Sequence, residues 1–176
     1  AGEVIFGSRE KLDPALSRSA ELMQNQIDRF EALLADLLEI SRYDAGAVTA
    51  ELETNDLNQV VGASIASIEP LAQSKSTEIK VELPKGPVEA DFDAKRIERL
   101  LRNLLSNAVE HGEGHAIVVQ VGQNANSVAV CVTDSGVGMS RAQLERVFDR
   151  FWRADPARQR SVGGTGLGLA ISKEDA

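Results

Sequence analysis

Seven apolar residues, Leu16, Ala20, Met23, Ile27, Phe30, Leu34 and Leu37, recur at alternating steps of four and three. That spacing lines them up on one face of an α-helix for about three heptads. Leu33, Leu38 and Ile40 widen the face beyond a two-stranded seam. A helix with so broad an apolar face must be covered by other helices, as in a bundle. Asp13 and Pro14 supply an N-cap and a first helical residue, and Gly46 a stop. Residues 1–6 read as the end of an earlier helix and 7–13 as a polar connector. The first 45 residues are thus expected to form a helical module of their own.

Beyond Gly46 the pattern changes to short elements of both kinds. A strand is expected over 48–52, and a helix over 57–73 that starts at Asn55 or Asp56. Ile79, Val81 and Leu83 alternate, so 77–83 reads as a strand, and 88–92 as another. Residues 94–111 make the strongest helix after the first, with Asp93 as its N-cap and Ile97, Leu100, Leu101, Leu104, Leu105 and Ala108 inside. Residues 116–122 and 127–133 alternate across Asn124-Ala-Asn126 and predict a β-hairpin, which forbids an all-parallel sheet. Ser140 caps a short helix over 140–147. Residues 153–164 are a polar, arginine-rich loop, and a last helix begins near Leu167. A mixed sheet with helices on one face is the simplest layered solution.

The bulk composition narrows function. The 176 residues are 43% hydrophobic and 26% charged, as in soluble globular domains, and carry a net charge of −8. Such a surface repels a phosphate backbone, so nucleic acid is a poor partner. A bound polyphosphate needs local positive groups or a metal against that field. Cys131 is the one cysteine. It lies in an apolar alternating run and reads as a small buried hydrophobe, not a reactive thiol.

Four segments carry chemistry, in the order Asn103-Leu-Leu-Ser-Asn107, Asp134-Ser-Gly-Val-Gly138, Phe148-Asp-Arg-Phe-Trp-Arg153 and Gly163-Gly-Thr-Gly-Leu-Gly168. Asn103 and Asn107, four apart, share a helix face. Their amide oxygens are hard neutral donors suited to Mg²⁺ when phosphates supply the charge. Asp134 ends a strand beside two glycines. An ionised carboxylate only accepts hydrogen bonds, so it suits the exocyclic amine of adenine and disfavours the carbonyl of guanine. Gly136 and Gly138 let backbone approach a base. The last segment opens a helix whose free amides suit phosphate, yet it is neither a Walker loop nor a dinucleotide fingerprint. Arg150, Arg153, Arg158 and Arg160 read either as a plain solvated loop or, beside a triphosphate, as counter-charges in an acidic chain. His111 continues the Asn103–Asn107 face by one more turn. His111 and His115 flank Gly112-Glu-Gly114, a poor frame for zinc because two glycines break the helix that would align the rings.

Taken together, these segments resemble the N, G1, F and G2 boxes of two-component sensor histidine kinases, whose ATP-binding domain has the Bergerat (GHKL) fold. Leu37-Leu-Glu-Ile-Ser-Arg-Tyr-Asp-Ala-Gly46 is similar to the end of the second helix of that family's dimerisation and phosphotransfer hairpin. The resemblance implies an α+β chain: a hairpin remnant over 1–45, then a Bergerat-type α/β sandwich over 46–176 that lacks its last elements. It implies ATP and Mg²⁺ as cofactors. Asn107 would bind the metal with Asn103 in support, and His111 would stand beside adenine, where many members carry an aromatic ring. Asp134 would read adenine beside Gly136 and Gly138. Gly164, Thr165, Gly166, Leu167 and Gly168 would wrap the phosphates, and Arg150, Phe151 and Arg153 of the F box would approach their tail.

Two departures stand out. Glu110 occupies a position where many members have lysine, which shifts charge neutralisation to metal and lid arginines. Nothing like the phosphoacceptor motif S-H-E-L-R-T-P-L is found, so no catalytic residue is assigned. The chain alone is expected to bind ATP without autophosphorylating. The intact protein would be a membrane-embedded homodimer working at the cytoplasmic face and passing its phosphoryl group to a response regulator. Two other readings stay open. One is a GHKL ATPase of gyrase or MutL type, disfavoured by the heptad helix and the F box. The other is a non-catalytic nucleotide-binding or dimerisation module.

Overall fold

The computed structural model describes residues 14–154 and 164–176. Helix α1 runs from Pro14 to Asp44 and is 31 residues long. It starts where proline is preorganised for a first turn; Asp13 and residues 1–6 lie outside the described residues. Its end is set by Gly46 at φ +61°. The Gly46 amide donates to the Tyr43 carbonyl at 2.9 Å, and the Ala47 amide to the Arg42 carbonyl at 3.1 Å. This is a Schellman stop, which uses the carbonyls the helix leaves open.

Strand β1 (Glu53–Asp56) leads directly into α2 (Leu57–Ser74). Asp56 caps α2 by accepting from the Asn58 amide at 3.0 Å, and the same oxygen accepts from the Val88 amide at 3.0 Å. One carboxylate therefore starts a helix and fixes the neighbouring chain. β2 (Ile79–Glu82), β3 (Glu89–Phe92) and α3 (Ala94–His111) follow. Asp93 caps α3 through the Lys95 and Arg96 amides and also receives the Glu51 amide. β4 (Ile117–Gln123) and β5 (Val128–Thr133) form the expected hairpin, its turn closed by Asn124. Ser140 caps the four-residue α4 (Arg141–Leu144) in a capping box with Gln143, and α5 runs from Gly168 to Asp175.

The sheet is mixed, in the order β2-β4-β5, with β2 parallel and β5 antiparallel to β4. β1 and β3 form a separate antiparallel ribbon, Glu53 opposite Phe92. The strand expected over 48–52 is not formed; β1 begins at Glu53. Apolar alternation at Val48, Ala50 and Leu52 lost to pairing: the β3 partner and the Asp56 cap fix the register downstream.

One core holds the layers together. Leu57, Val61, Ile68 and Ala72 of α2 meet Leu101, Leu105, Ala108 and Val109 of α3 over Ile117, Val119 and Val121 of β4. Val128, Val130 and Val132 of β5 pack on the same side, so the helices cover one face. Parity then sends Cys131 outward: it is exposed, 3.6 Å from the Thr133 hydroxyl, and not the buried residue expected. Among the described residues of α1, only Ile40 is a buried apolar side chain. The heptad stripe is bare, with Met23 64% and Phe30 67% exposed. Among the described residues, no helix is long and apolar enough to cross a membrane.

Candidate nucleotide site

Helix α3 has two working faces. Leu101, Leu105, Ala108 and Val109 hold it in the core, which leaves Asn103, Asn107 and Glu110 half-buried along its edge and His111 exposed at its end. Asn103 donates from its amide to the Ser172 hydroxyl at 2.8 Å. Its side chain also fills the space where a Cβ on Gly168 would sit. Asn103 thus ties α3 to the first turns of α5, and Asn107 is the amide of the pair nearer the Asp134 loop.

That loop is seated on the end of α3. A Cβ on Gly136 would collide with the His111 carbonyl, so only glycine allows the approach. The Gly136 amide donates to Asp134 Oδ1 at 2.9 Å, an Asx turn that fixes the exposed carboxylate. Gly138 takes φ +64°. His111 therefore meets the loop through its main chain.

The F and G2 segments are also joined. Phe151 has φ +62°, uncommon for a residue with a side chain, and its amide donates to the Gly166 carbonyl at 2.8 Å. Gly166, at φ +74°, lies so close to the Phe151 backbone that a Cβ would be only 3.1 Å from it. Arg153 donates to the Gly164 carbonyl. Leu167 is fully buried with Ile40 and Ile171, and the Leu167 amide donates to the Thr165 hydroxyl oxygen at 3.2 Å. Gly163, Arg158 and Arg160 lie outside the described residues.

Helix α1 also reaches this site through contacts that no local sequence pattern marks. Thr165 donates to Asp36 Oδ2 at 2.7 Å. Arg150 does not stand free: its two terminal nitrogens donate to the Asp44 carboxylate at 2.7 and 2.6 Å. That fork holds the Asp44 carboxyl below the usual carboxylate range. Beside it lies a polar knot. Arg99 bonds Asp175 through Nε at 2.8 Å and through a terminal nitrogen at 2.5 Å, reaches Glu39 at 2.7 Å, and donates to the Tyr43 oxygen at 3.1 Å. Tyr43 donates to Asp175, whose side chain is wholly buried, and Arg96 stacks over the Tyr43 ring at 5.6 Å. Burial, then the bond to Asp175, pushes the Tyr43 hydroxyl up to about 12. The bonds to Asp175 outweigh desolvation and raise Arg99 above its ordinary value. A charge buried with so many donors is costly to orphan, about 3–5 kcal/mol when one partner is removed.

Asp36, Tyr43, Arg99, Ser172 and Asp175 were thus invisible as site neighbours. Asp36 and Tyr43 fall outside the heptad stripe and Asp175 beyond the four motif segments, so no local pattern marks them.

Residues 92–176 match the family of histidine kinase-, DNA gyrase B- and HSP90-like ATPases. Across all 176 residues the chain is 48% identical to the sensor histidine kinase MtrB of Mycolicibacterium paratuberculosis, and it spans 31% of that relative's length. The fold is similar to that of the Acinetobacter baumannii histidine kinase AdeS, with TM-score 0.74 and 21% identity over 99% of this chain and 83% of the other. It is also similar to the mycobacterial sensor histidine kinase MprB, with TM-score 0.59 and 27% identity over 70% of this chain and 77% of that one. Four boxes drawn together around α3 and α5, and these likenesses, lead to one assignment: the chain carries a GHKL-type histidine-kinase ATP-binding domain and is closely related to the MtrB-type sensor kinases of actinobacteria.

Proposed function

We propose that this chain is the nucleotide-binding part of a sensor histidine kinase, joined to the end of its dimerisation hairpin at about residue 45. One observation carries the reading: segments apart in the chain meet closely at glycines, Gly136 against the His111 carbonyl, Gly166 against the Phe151 backbone and Gly168 against the Asn103 side chain. Close approach of main chain at these glycines suits binding of a flat base and a phosphate tail by backbone amides.

In this reading Asp134 is the base reader. One of its oxygens is engaged by the Gly136 amide, and the other accepts from the adenine amine. Asn107 holds Mg²⁺ by its amide oxygen, and Asn103 sets the α5 end of the phosphate loop. The residues fit a metal brought in with phosphates, because they offer neutral amides in place of a carboxylate cage. When bound, Mg²⁺ neutralises charge on the phosphate oxygens. Gly164 to Gly168 supply amides, and Arg150 and Arg153 supply counter-charge that Glu110 cannot.

The whole protein would form a dimer, move the γ-phosphoryl group to a histidine of that dimer and pass it to a response regulator aspartate. The bare heptad stripe of α1 is the surface such a dimer would cover. In this reading the parent protein would be membrane-embedded, with its ATP site on the cytoplasmic face.

Calorimetry tests the site directly. The chain should bind Mg-ATP with micromolar or weaker affinity, because the costs of association subtract from contact energy. Asp134→Asn should erode preference for ATP over GTP. A folded chain that gives no heat with Mg-ATP, or an Asp134→Asn variant with unchanged selectivity, would sink the assignment.

A further inference from the structure

We propose that the acidic edge of α1 is an internal stand-in for the triphosphate: Asp36 and Asp44 hold Thr165 and Arg150, groups the nucleotide needs, so docked α1 and bound phosphates exclude one another. This rests on the nucleotide reading above and adds its regulation.

The contacts are specific on both sides. Asp36 takes the hydroxyl of Thr165, in the middle of the glycine-rich loop, at 2.7 Å. Its charge then lies by the start of α5, where the amide ends favour an anion. Asp44 takes both arms of Arg150 in the planar fork that a phosphate would otherwise accept. The two carboxylates lie two helical turns apart, about 12 Å along one face of α1. Between them Ile40 is buried against Leu167 and Ile171, and Glu39 and Tyr43 join the Arg99–Asp175 knot. The apolar contact and the knot anchor α1, and the two carboxylates reach from that anchor to the phosphate ligands. Freeing Thr165 and Arg150 for a nucleotide removes both outer contacts of the helix.

The proposal predicts a phosphate-dependent competition. Asp36→Ala and Asp44→Ala alter half-buried and exposed positions outside the domain core, so the domain should stay folded. The double variant should bind Mg-ATP tighter by on the order of ten-fold, a coupling of ordinary allosteric size. Adenosine, which has the base and no phosphates, should bind the two chains equally. On the unaltered chain, saturating Mg-ATP should speed amide exchange over residues 36–44, and adenosine should not. Equal or weaker Mg-ATP binding by the double variant, with binding intact in the parent chain, overturns the stand-in and leaves the nucleotide site standing. A gain for adenosine as large as that for Mg-ATP also overturns it. Absence of binding by every chain overturns the site itself, and the stand-in with it.

Discussion

Replacing Ile40 by alanine isolates the apolar part of the α1 contact. Ile40 is 6% exposed and packs on Leu167 and Ile171, away from the main core of α2, α3 and β4. The substitution removes three carbons, worth about 2.4 kcal/mol at roughly 0.8 kcal/mol each, before any cavity term. If that energy holds α1 on the domain, the undocked population rises roughly sixty-fold. The stability of the α2–α3–β4 core should change far less, because Ile40 is not part of it. Amide exchange resolves the two. Residues 37–44 and the first turn of α5 should lose protection, while Leu101, Leu105 and Val119 keep theirs. Leu37→Ala, at a site 44% exposed, is the control and should leave the pattern unchanged. Full protection of residues 37–44 in the Ile40 variant would refute the idea that this packing fastens the helix.

Three other outcomes are expected. Gly136→Ala should cost about 1–3 kcal/mol in urea unfolding, because the new Cβ meets a fixed main-chain carbonyl at His111; an unchanged midpoint would contradict the seat described for that loop. Asp93→Ala should lower stability by about 1 kcal/mol, since the cap of α3 and the tie to Glu51 go together. Tyr43 gives a pH signature: its folded value of about 12 exceeds the ordinary 10.0, so the native state holds that proton more tightly. Its contribution is complete below pH 10 and is lost as pH rises towards 12. Urea melts across that window should show a steeper fall for the parent chain than for Tyr43→Phe.

What the sequence disclosed follows a physical division. α3 was legible to the residue because its start is a local bond from Asp93 and its face a local periodicity. The four boxes were legible because glycines, amides and a carboxylate keep their chemistry wherever they are placed. β1 was misplaced because a strand is defined by its partner, and β3 is distant in sequence. Cys131 was misassigned although Val128, Val130 and Val132 share the opposite parity, a count that would have turned it outward. The contacts of Asp36, Asp44 and Arg99 were not legible at all. Charged residues on a helix read as solvated until a tertiary neighbour is known, and theirs lie far along the chain.

The face that α1 presents also fixes where it can sit. Sliding it by one turn would bring Asp36 or Asp44, according to direction, into the apolar slot of Ile40 between Leu167 and Ile171. Either move buries a carboxylate without a partner, an expense of several kcal/mol. The same slip in one direction leaves Ala32 facing Thr165, and in the other puts Ala47, beyond the helix end, where Tyr43 meets Arg99. The helix is keyed like a lock tumbler: it seats at one depth or leaves altogether, with no stable position between.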